Sequence, residues 1–161
     1  IGVPWRVAFA LQQRGWILRS DIIWAKKNPI PESVKDRPTS SHEHIFLFSK
    51  QPKYYYDFES VKEKIINLDN NGGYEHRNKR DVWSVRVASY PGSHCATFPM
   101  ELIVPCIKAG SPEGGLVLDP FMGSGTVAEV AKRLSRRYTG CELNLEYWKI
   151  IQKRTKQKEL F

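Results

Sequence analysis

The sequence predicts an α/β fold with a mostly parallel, doubly wound sheet and a β-hairpin, on three observations. After residue 100, apolar runs of strand length alternate with segments of helical spacing, the order that builds parallel sheets. Within that part, Leu116-Val117-Leu118-Asp119 runs through Pro120-Phe121-Met122 and turns on Gly123-Ser124-Gly125 into a helix that begins at Thr126. Strand, glycine turn and helix N-terminus in that order form the usual cradle of an α/β fold. Earlier, residues 42–48 alternate as a half-buried strand does, and a turn at 49–52 leads to Tyr54-Tyr55-Tyr56, which reads as its hairpin partner.

The remaining elements follow from local chemistry. Residues 4–13 read as a helix: Pro4 suits the first turn, Val3, Val7, Ala10 and Leu11 share one side, and Gly15 is placed to stop it. Residues 16–24 read as a strand with Ile17, Ile22 and Ile23. The stretch from Lys26 to Ser40 carries Pro29, Pro31 and Pro38 among polar residues and reads as a long loop, a length usually tied to function. Residues 57–93 are the least regular and contain the basic run Arg77-Asn78-Lys79-Arg80, so a mobile, loop-rich region is expected there. Leu102, Ile103, Cys106 and Ile107 have helical spacing up to Gly110. Val127, Val130, Ala131 and Leu134 give the helix after the glycine turn, with Arg136 and Arg137 expected at its negative end. A strand over 138–142 follows, then a helix capped by Asn144 with Tyr147, Ile150 and Ile151 inward. The basic tail 149–158 reads as a solvated helix face.

Bulk properties bound the function. A chain of 161 residues with 41% apolar and 12% aromatic content supports one core, and the whole of 1–161 is expected to be a single domain. No apolar run approaches the roughly 20 residues of a membrane span, and no leader pattern is visible. The chain starts at Ile1 rather than Met, which suggests an absent upstream part. Twenty-five basic against 17 acidic residues, a net +8, favour a polyanionic partner or a solubilising surface equally. Cys95, Cys106 and Cys141 form no CxxC pair and read as buried thiols of a reducing cytoplasm. His42, His44, His76 and His94 lack metal spacing, and His42 and His44, on one face of a strand, read as structural surface histidines.

The glycine turn excludes two common ligands. A phosphate-binding P-loop needs a Lys after its last glycine, and here Thr126 follows Gly125. A dinucleotide fingerprint needs a third glycine where Ala128 stands. What remains, Asp119-Pro120-Phe121-Met122-Gly123-Ser124-Gly125-Thr126, resembles the signature of the DNA amino-methyltransferases, which methylate adenine N6 or cytosine N4. The resemblance covers nearly the whole chain. His94-Cys95-Ala96-Thr97-Phe98-Pro99 is similar to the family segment that encloses the methionine moiety. Residues 21–29, Asp36-Arg37-Pro38 and 41–48 are similar to its target-base side, in the permuted order of the beta class.

The resemblance implies a Rossmann-like S-adenosylmethionine-dependent methyltransferase fold, incomplete at its N-terminus. It implies that S-adenosylmethionine is held by Thr97, Phe98, Asp119, Pro120, Phe121, Gly123, Ser124, Gly125, Thr126, Glu142 and Asn144. Asp119 would meet the cationic methionyl end, and Glu142, 23 residues on, the ribose hydroxyls. DNA is the implied partner. Each of Lys26, Lys27, Asn28, Arg37, Arg77, Lys79 and Arg80, taken alone, reads as a solvated loop residue, whereas the basic region 57–93 as a whole falls where the family recognises its target. Trp24 either stacks near a flipped base or sits in the core.

One departure qualifies the match. The family's catalytic tetrapeptide contains Pro-Pro, and no Pro-Pro pair occurs in these 161 residues. The tetrapeptide holds the flipped base's amino nitrogen toward the methyl group, so the chain alone is expected to be catalytically inert. Its central sheet would lack an inner strand, which predicts unpaired edges relieved by rearrangement, by a segment captured in trans or by a second copy. A non-catalytic module that binds DNA or cofactor, or a methyltransferase of RNA or a small molecule, are the other readings.

Overall fold

The computed structural model describes residues 2–65, 74–87 and 98–156. In chain order the elements are α1 (Val3–Gln13), β1 (Ile17–Lys26), β2 (His42–Ser49), a 3₁₀ turn (Glu59–Val61), β3 (Glu63–Lys64), β4 (His76–Arg77), β5 (Val82–Val85), α2 (Met100–Gly110), β6 (Leu116–Asp119), α3 (Thr126–Arg133), β7 (Arg137–Gly140) and α4 (Leu145–Thr155). They divide into two compact units, one of residues 1–55 and 79–87, the other of residues 56–78 and 88–161. The division cuts the basic run between Asn78 and Lys79.

The first unit is a three-stranded sheet in the order β2-β1-β5. β2 runs antiparallel to β1, from Ile17 opposite Ser49 to Ala25 opposite His42, with an irregularity between Leu18 and Ser20. The partner of β2 is therefore β1. The expected pairing with Tyr54-Tyr55-Tyr56 does not form, and these tyrosines are exposed without strand structure. The reason lies in the turn after β2: the Arg19 guanidinium takes the Ser49 hydroxyl and the Gln51 and Pro52 carbonyls, which ties the outgoing chain back to β1.

Within the region 57–93, expected to be loop-rich, β5 is a strand that the sequence reading does not name. It runs parallel to the second half of β1, Ile23 opposite Val82 and Lys26 opposite Val85. Its alternation is short but complete, with Trp83 and Val85 buried and Val82 and Ser84 exposed. Trp24 is 5% exposed and donates its indole N–H to the Val85 carbonyl at 2.9 Å, so it belongs to the core and not to a base-stacking surface. α1 forms where expected and stops at Gly15, whose φ is +86°. Its inward side is different, however. Ala8 is fully buried and Trp5 packs edge-on against Phe46 at 4.9 Å, while Val3, Val7 and Ala10 are exposed. A large ring beside a small residue fills the space over a strand better than a row of valines does.

The second unit carries the glycine turn. β6 and β7 are parallel, Leu116 opposite Arg137 and Asp119 opposite Gly140. α3 connects them, and its Val130 and Ala131 meet Ile107 of α2, with Val117, Leu134 and Tyr138 packed against them. A second cluster joins Met122, Ala128 and Ile151 of α4. Val130 and Ile151, 1% and 2% exposed, each contribute about 1.5–3 kcal/mol by burial.

α3 ends at Arg133, earlier than the placement of Arg136 and Arg137 assumed, because Ser135 turns the chain with φ +59°. Arg136 instead donates to the Ser111 carbonyl, and Arg137 starts β7. β7 ends at Gly140, two residues before the expected Glu142. Cys141 is exposed and Cys106 partly buried, so the expectation of buried thiols fails for Cys141; Cys95 and His94 lie outside the described residues.

Among the described residues the strands pair in parallel at β1–β5 and β6–β7 and antiparallel at β1–β2 and β3–β4. Among the described residues β6 pairs with β7 alone, and on its β5 side β1 is paired over 23–26.

Candidate functional site

The site is built where β6 ends. Asp119 folds its carboxylate back, and Oδ1 accepts the Phe121 N–H at 3.0 Å, which starts the turn. The Gly125 N–H reaches the Met122 carbonyl at 2.8 Å. Gly123 and Gly125 take φ of +51° and +83°, angles that side chains disfavour. The two glycines serve different ends. A Cβ on Gly125 would lie 3.0 Å from Ile151 Cγ1, so this glycine lets α4 close on the loop. A Cβ on Gly123 would meet only the Phe121 carbonyl at 3.9 Å, so its surroundings stay open for a ligand.

The segment after β7 grips the loop. The Met122 N–H donates to the Cys141 carbonyl at 2.9 Å and the Cys141 N–H to the Asp119 carbonyl at 3.1 Å. Glu142 then uses both carboxylate oxygens: Oε2 accepts the Gly123 N–H at 2.7 Å and Oε1 the Asn144 N–H at 2.8 Å. Asn144 caps α4 by accepting the Glu146 N–H at 2.9 Å. The sequence-derived residues Asp119, Gly123, Ser124, Gly125, Thr126, Glu142 and Asn144 are thus joined in one bonded assembly. Phe121, within the loop, is 89% exposed, and Leu143, next to Glu142, is fully exposed. Phe98 stands partly exposed just before α2, and Thr97 lies outside the described residues.

Two residues of this assembly escaped the sequence reading. Gly140, opposite Asp119, has no room for a Cβ: one would lie well inside contact distance of the Asp119 carbonyl oxygen and Met122 Cε. Its only sequence signal is a glycine ending a strand. Arg154, in the tail read as a solvated face, has a side chain only 21% exposed and hydrogen-bonds Ser124, Thr126 and Glu129. Its signal was present, since Tyr147, Ile151 and Arg154 fall on one helical face.

The basic residues singled out for DNA contact are mostly engaged within their own units. Lys26 pairs with Glu43 and stands over the Trp24 ring, Arg37 pairs with Glu32, and Arg77 pairs with Glu63. Lys79 Nζ lies 4.8 Å from the Trp83 ring centre. Lys27 and Arg80 are exposed. Asn28 accepts the Val87 N–H at 2.8 Å and so closes the loop beyond β5. Exposed ion pairs of this kind are worth only about 0–1 kcal/mol and exchange readily for a phosphate. His44 Nδ1 lies 2.9 Å from Asp21, so this histidine is a strand-pair contact; His42 is exposed beside it. Among the described residues no cluster of His, Cys, Asp and Glu could hold a metal ion, and no helix is long and apolar enough to cross a membrane.

The chain is similar to known proteins in sequence and in fold. The chain is 56% identical over 147 residues to the type II methyltransferase M.Cfr9I of Citrobacter freundii, covering 91% of the chain and 47% of that protein. It is 54% identical over 154 residues to M.SmaI of Serratia marcescens, covering 96% and 51%. The chain therefore spans about half the length of these curated relatives. Among solved structures, the M1.HpyAVI–SAM complex aligns with a TM-score of 0.70 at 25% identity, over 96% of this chain and 70% of that one. The cytosine-N4-specific PvuII DNA methyltransferase shares the fold, with a TM-score of 0.77 at 21% identity, over 98% and 58%. The family model described as DNA methylase, of the N6/N4 type, matches residues 3–153 and takes in the loop, Glu142 and both units, so the chain belongs to that family.

Proposed function

We propose that this chain is the cofactor-binding, C-terminal part of a DNA methyltransferase of restriction–modification type that acts in the cytoplasm. It would carry methyl from S-adenosylmethionine to an exocyclic amino group, adenine N6 or cytosine N4. The observation that carries the reading is the 119–126 loop, with two left-handed glycines and the Glu142 carboxylate on the Gly123 N–H. The residues fit the cofactor. The space beside Gly123 admits close backbone approach. Asp119, at the end of β6, is placed for an ammonium group. Each Glu142 oxygen, bound by one N–H, keeps a lone pair for a ribose hydroxyl. When bound, the cofactor supplies an electrophilic sulfonium methyl. Thr97, Phe98, Pro120, Phe121, Ser124, Gly125, Thr126 and Asn144 complete its surroundings in this reading.

Lys26, Lys27, Asn28, Arg37, Arg77, Lys79 and Arg80 would meet DNA, with target recognition in 57–93. The group that orients the base's amino nitrogen is assigned to no residue of this chain, because no Pro-Pro pair is present. A further segment would supply it; a second copy, with the same sequence, would cover only an open strand edge. The edge of β6 and the span of β1 before residue 23, both without a described partner on that side, support this. The missing tetrapeptide also favours a second reading, a module that binds cofactor or DNA without catalysing.

Titration calorimetry with S-adenosylmethionine, paired with tritiated methyl transfer to DNA, decides among these. Binding by the chain, with transfer only after the N-terminal half of M.SmaI is added, is the expected result. Absence of binding would overturn the cofactor reading. Transfer by the chain alone would overturn the division of labour, and binding with no transfer under either condition would leave the non-catalytic module standing.

A further inference from the structure

We propose that Arg154, in the last turn of α4, is a positioning residue that holds the cofactor loop in its binding shape through Ser124 and Thr126, where Glu142 holds it through Gly123. The inference rests on the reading of 119–126 as the cofactor loop. The Ser124 and Thr126 residues are 4% and 5% exposed, so their hydroxyls need partners within the protein. Arg154 supplies them. Its Nη1 donates to the Ser124 carbonyl at 3.0 Å, to Ser124 Oγ at 2.9 Å and toward Thr126 Oγ1 at 3.3 Å.

The guanidinium is itself aimed. Its Nε donates to Glu129 Oε2 at 2.7 Å, and Arg133 holds the other oxygen of the same carboxylate, which is 13% exposed. The planar fork of Arg fits this use, since one rigid group meets α3 through Glu129 and the loop through Ser124 at once. A lysine would bring a single mobile charge.

The geometry makes α4 a two-ended clamp. At its start, Glu142 and Asn144 take the Gly123 N–H and the helix cap. In its last turn, Arg154 takes Ser124 and Thr126. Between them Ile151 packs against Gly125. The two glycines take their left-handed angles without strain but leave the loop backbone free to adopt others, so its shape is set by what its neighbours hold. Without Arg154 the loop keeps its glycines but loses the fork that sets Ser124, so ordering would have to be completed on binding, at a cost in affinity.

The test compares wild type, Arg154→Met and Arg154→Lys in the full chain by S-adenosylmethionine calorimetry, at a temperature where circular dichroism shows all three folded. Amide hydrogen exchange at Gly123 and Gly125 runs beside it. Arg154→Met is expected to weaken binding about tenfold or more and to speed exchange at both glycines. Arg154→Lys should recover part of each. A merely structural arginine would lower the melting temperature and leave the dissociation constant and the two glycines unchanged, and that result overturns the proposal. If the wild-type chain fails to bind, the cofactor reading is wrong, yet the exchange rates still decide whether Arg154 holds the loop. Unchanged exchange in Arg154→Met then refutes the clamp, and faster exchange confined to Gly123 and Gly125 upholds it.

Discussion

Replacing Glu142 by Gln separates a carboxylate that organises the loop from one that only awaits a ligand. The native side chain spends one oxygen on the Gly123 N–H and the other on the Asn144 N–H, at 2.7 and 2.8 Å. A glutamine offers one acceptor oxygen, and its NH₂ must face the second N–H, donor against donor. Hydrogen bonds to a charged group are worth roughly 1.5–3 kcal/mol when well buried. Glu142 is only partly buried, and water can reach a freed N–H, so about 1 kcal/mol for each bond is the better figure. Gln should lose one bond, weaken the other by removing the charge, and add a repulsion, close to 2 kcal/mol in all. At ~2–4 °C per kcal/mol for a chain of this size, the melting temperature should fall by about 4–8 °C. Thermal unfolding followed by circular dichroism reads the shift. Calorimetry should show S-adenosylmethionine affinity falling as well, since the loop and the proposed ribose site share the carboxylate. A Glu142→Gln chain that melts with wild type and binds the cofactor equally well would refute the bridging role.

Three further outcomes follow from the same geometry. Gly140→Ala should destabilise more than Gly123→Ala, because its Cβ is driven into the Asp119 carbonyl oxygen, whereas Gly123→Ala bears only the left-handed cost of about 1–2 kcal/mol; urea midpoints compare them. Trp24→Phe should cost about 0.5–1.5 kcal/mol by removing the indole bond to the Val85 carbonyl, which keeps the Lys27 N–H at 3.3 Å, and amide exchange should rise along β5. If Lys27 and Arg80 contact phosphates, replacing both by Ala should reduce the salt slope of DNA binding by about 2 in a log–log plot, with weakening alike on all duplex sequences; an unchanged slope excludes those contacts.

The glycine loop was readable because its determinants are local. Two glycines at fixed offsets, a carboxylate at a strand end and a capping Asn each act within a few residues, and all took the expected places. The misplacements share a different cause. Hairpins favour short turns, so local chemistry pairs β2 with the nearest aromatic stretch, whereas the structure joins it to β1 across the long 27–41 loop and binds the turn through Arg19. β5 was hidden because four residues are too few to show a period, and only the parallel edge of β1 gives them a reason to extend. Trp24 could have faced a ligand or the core on sequence grounds, and the Val85 carbonyl decided it.

By itself, then, the sequence determined the chemistry of the loop: which backbone angles are allowed, that Asp119 ends its strand, and that Asn144 caps the helix after it. Tertiary structure decided which side chains enforce that loop. Glu142 and Arg154 act over 19 and 30 residues of separation, and no local propensity encodes such a distance. Gly140 and Gly125 are needed because other segments come within reach of the Cβ they lack. Close packing between elements distant in sequence is set by the whole fold, so it becomes visible only once the fold is known.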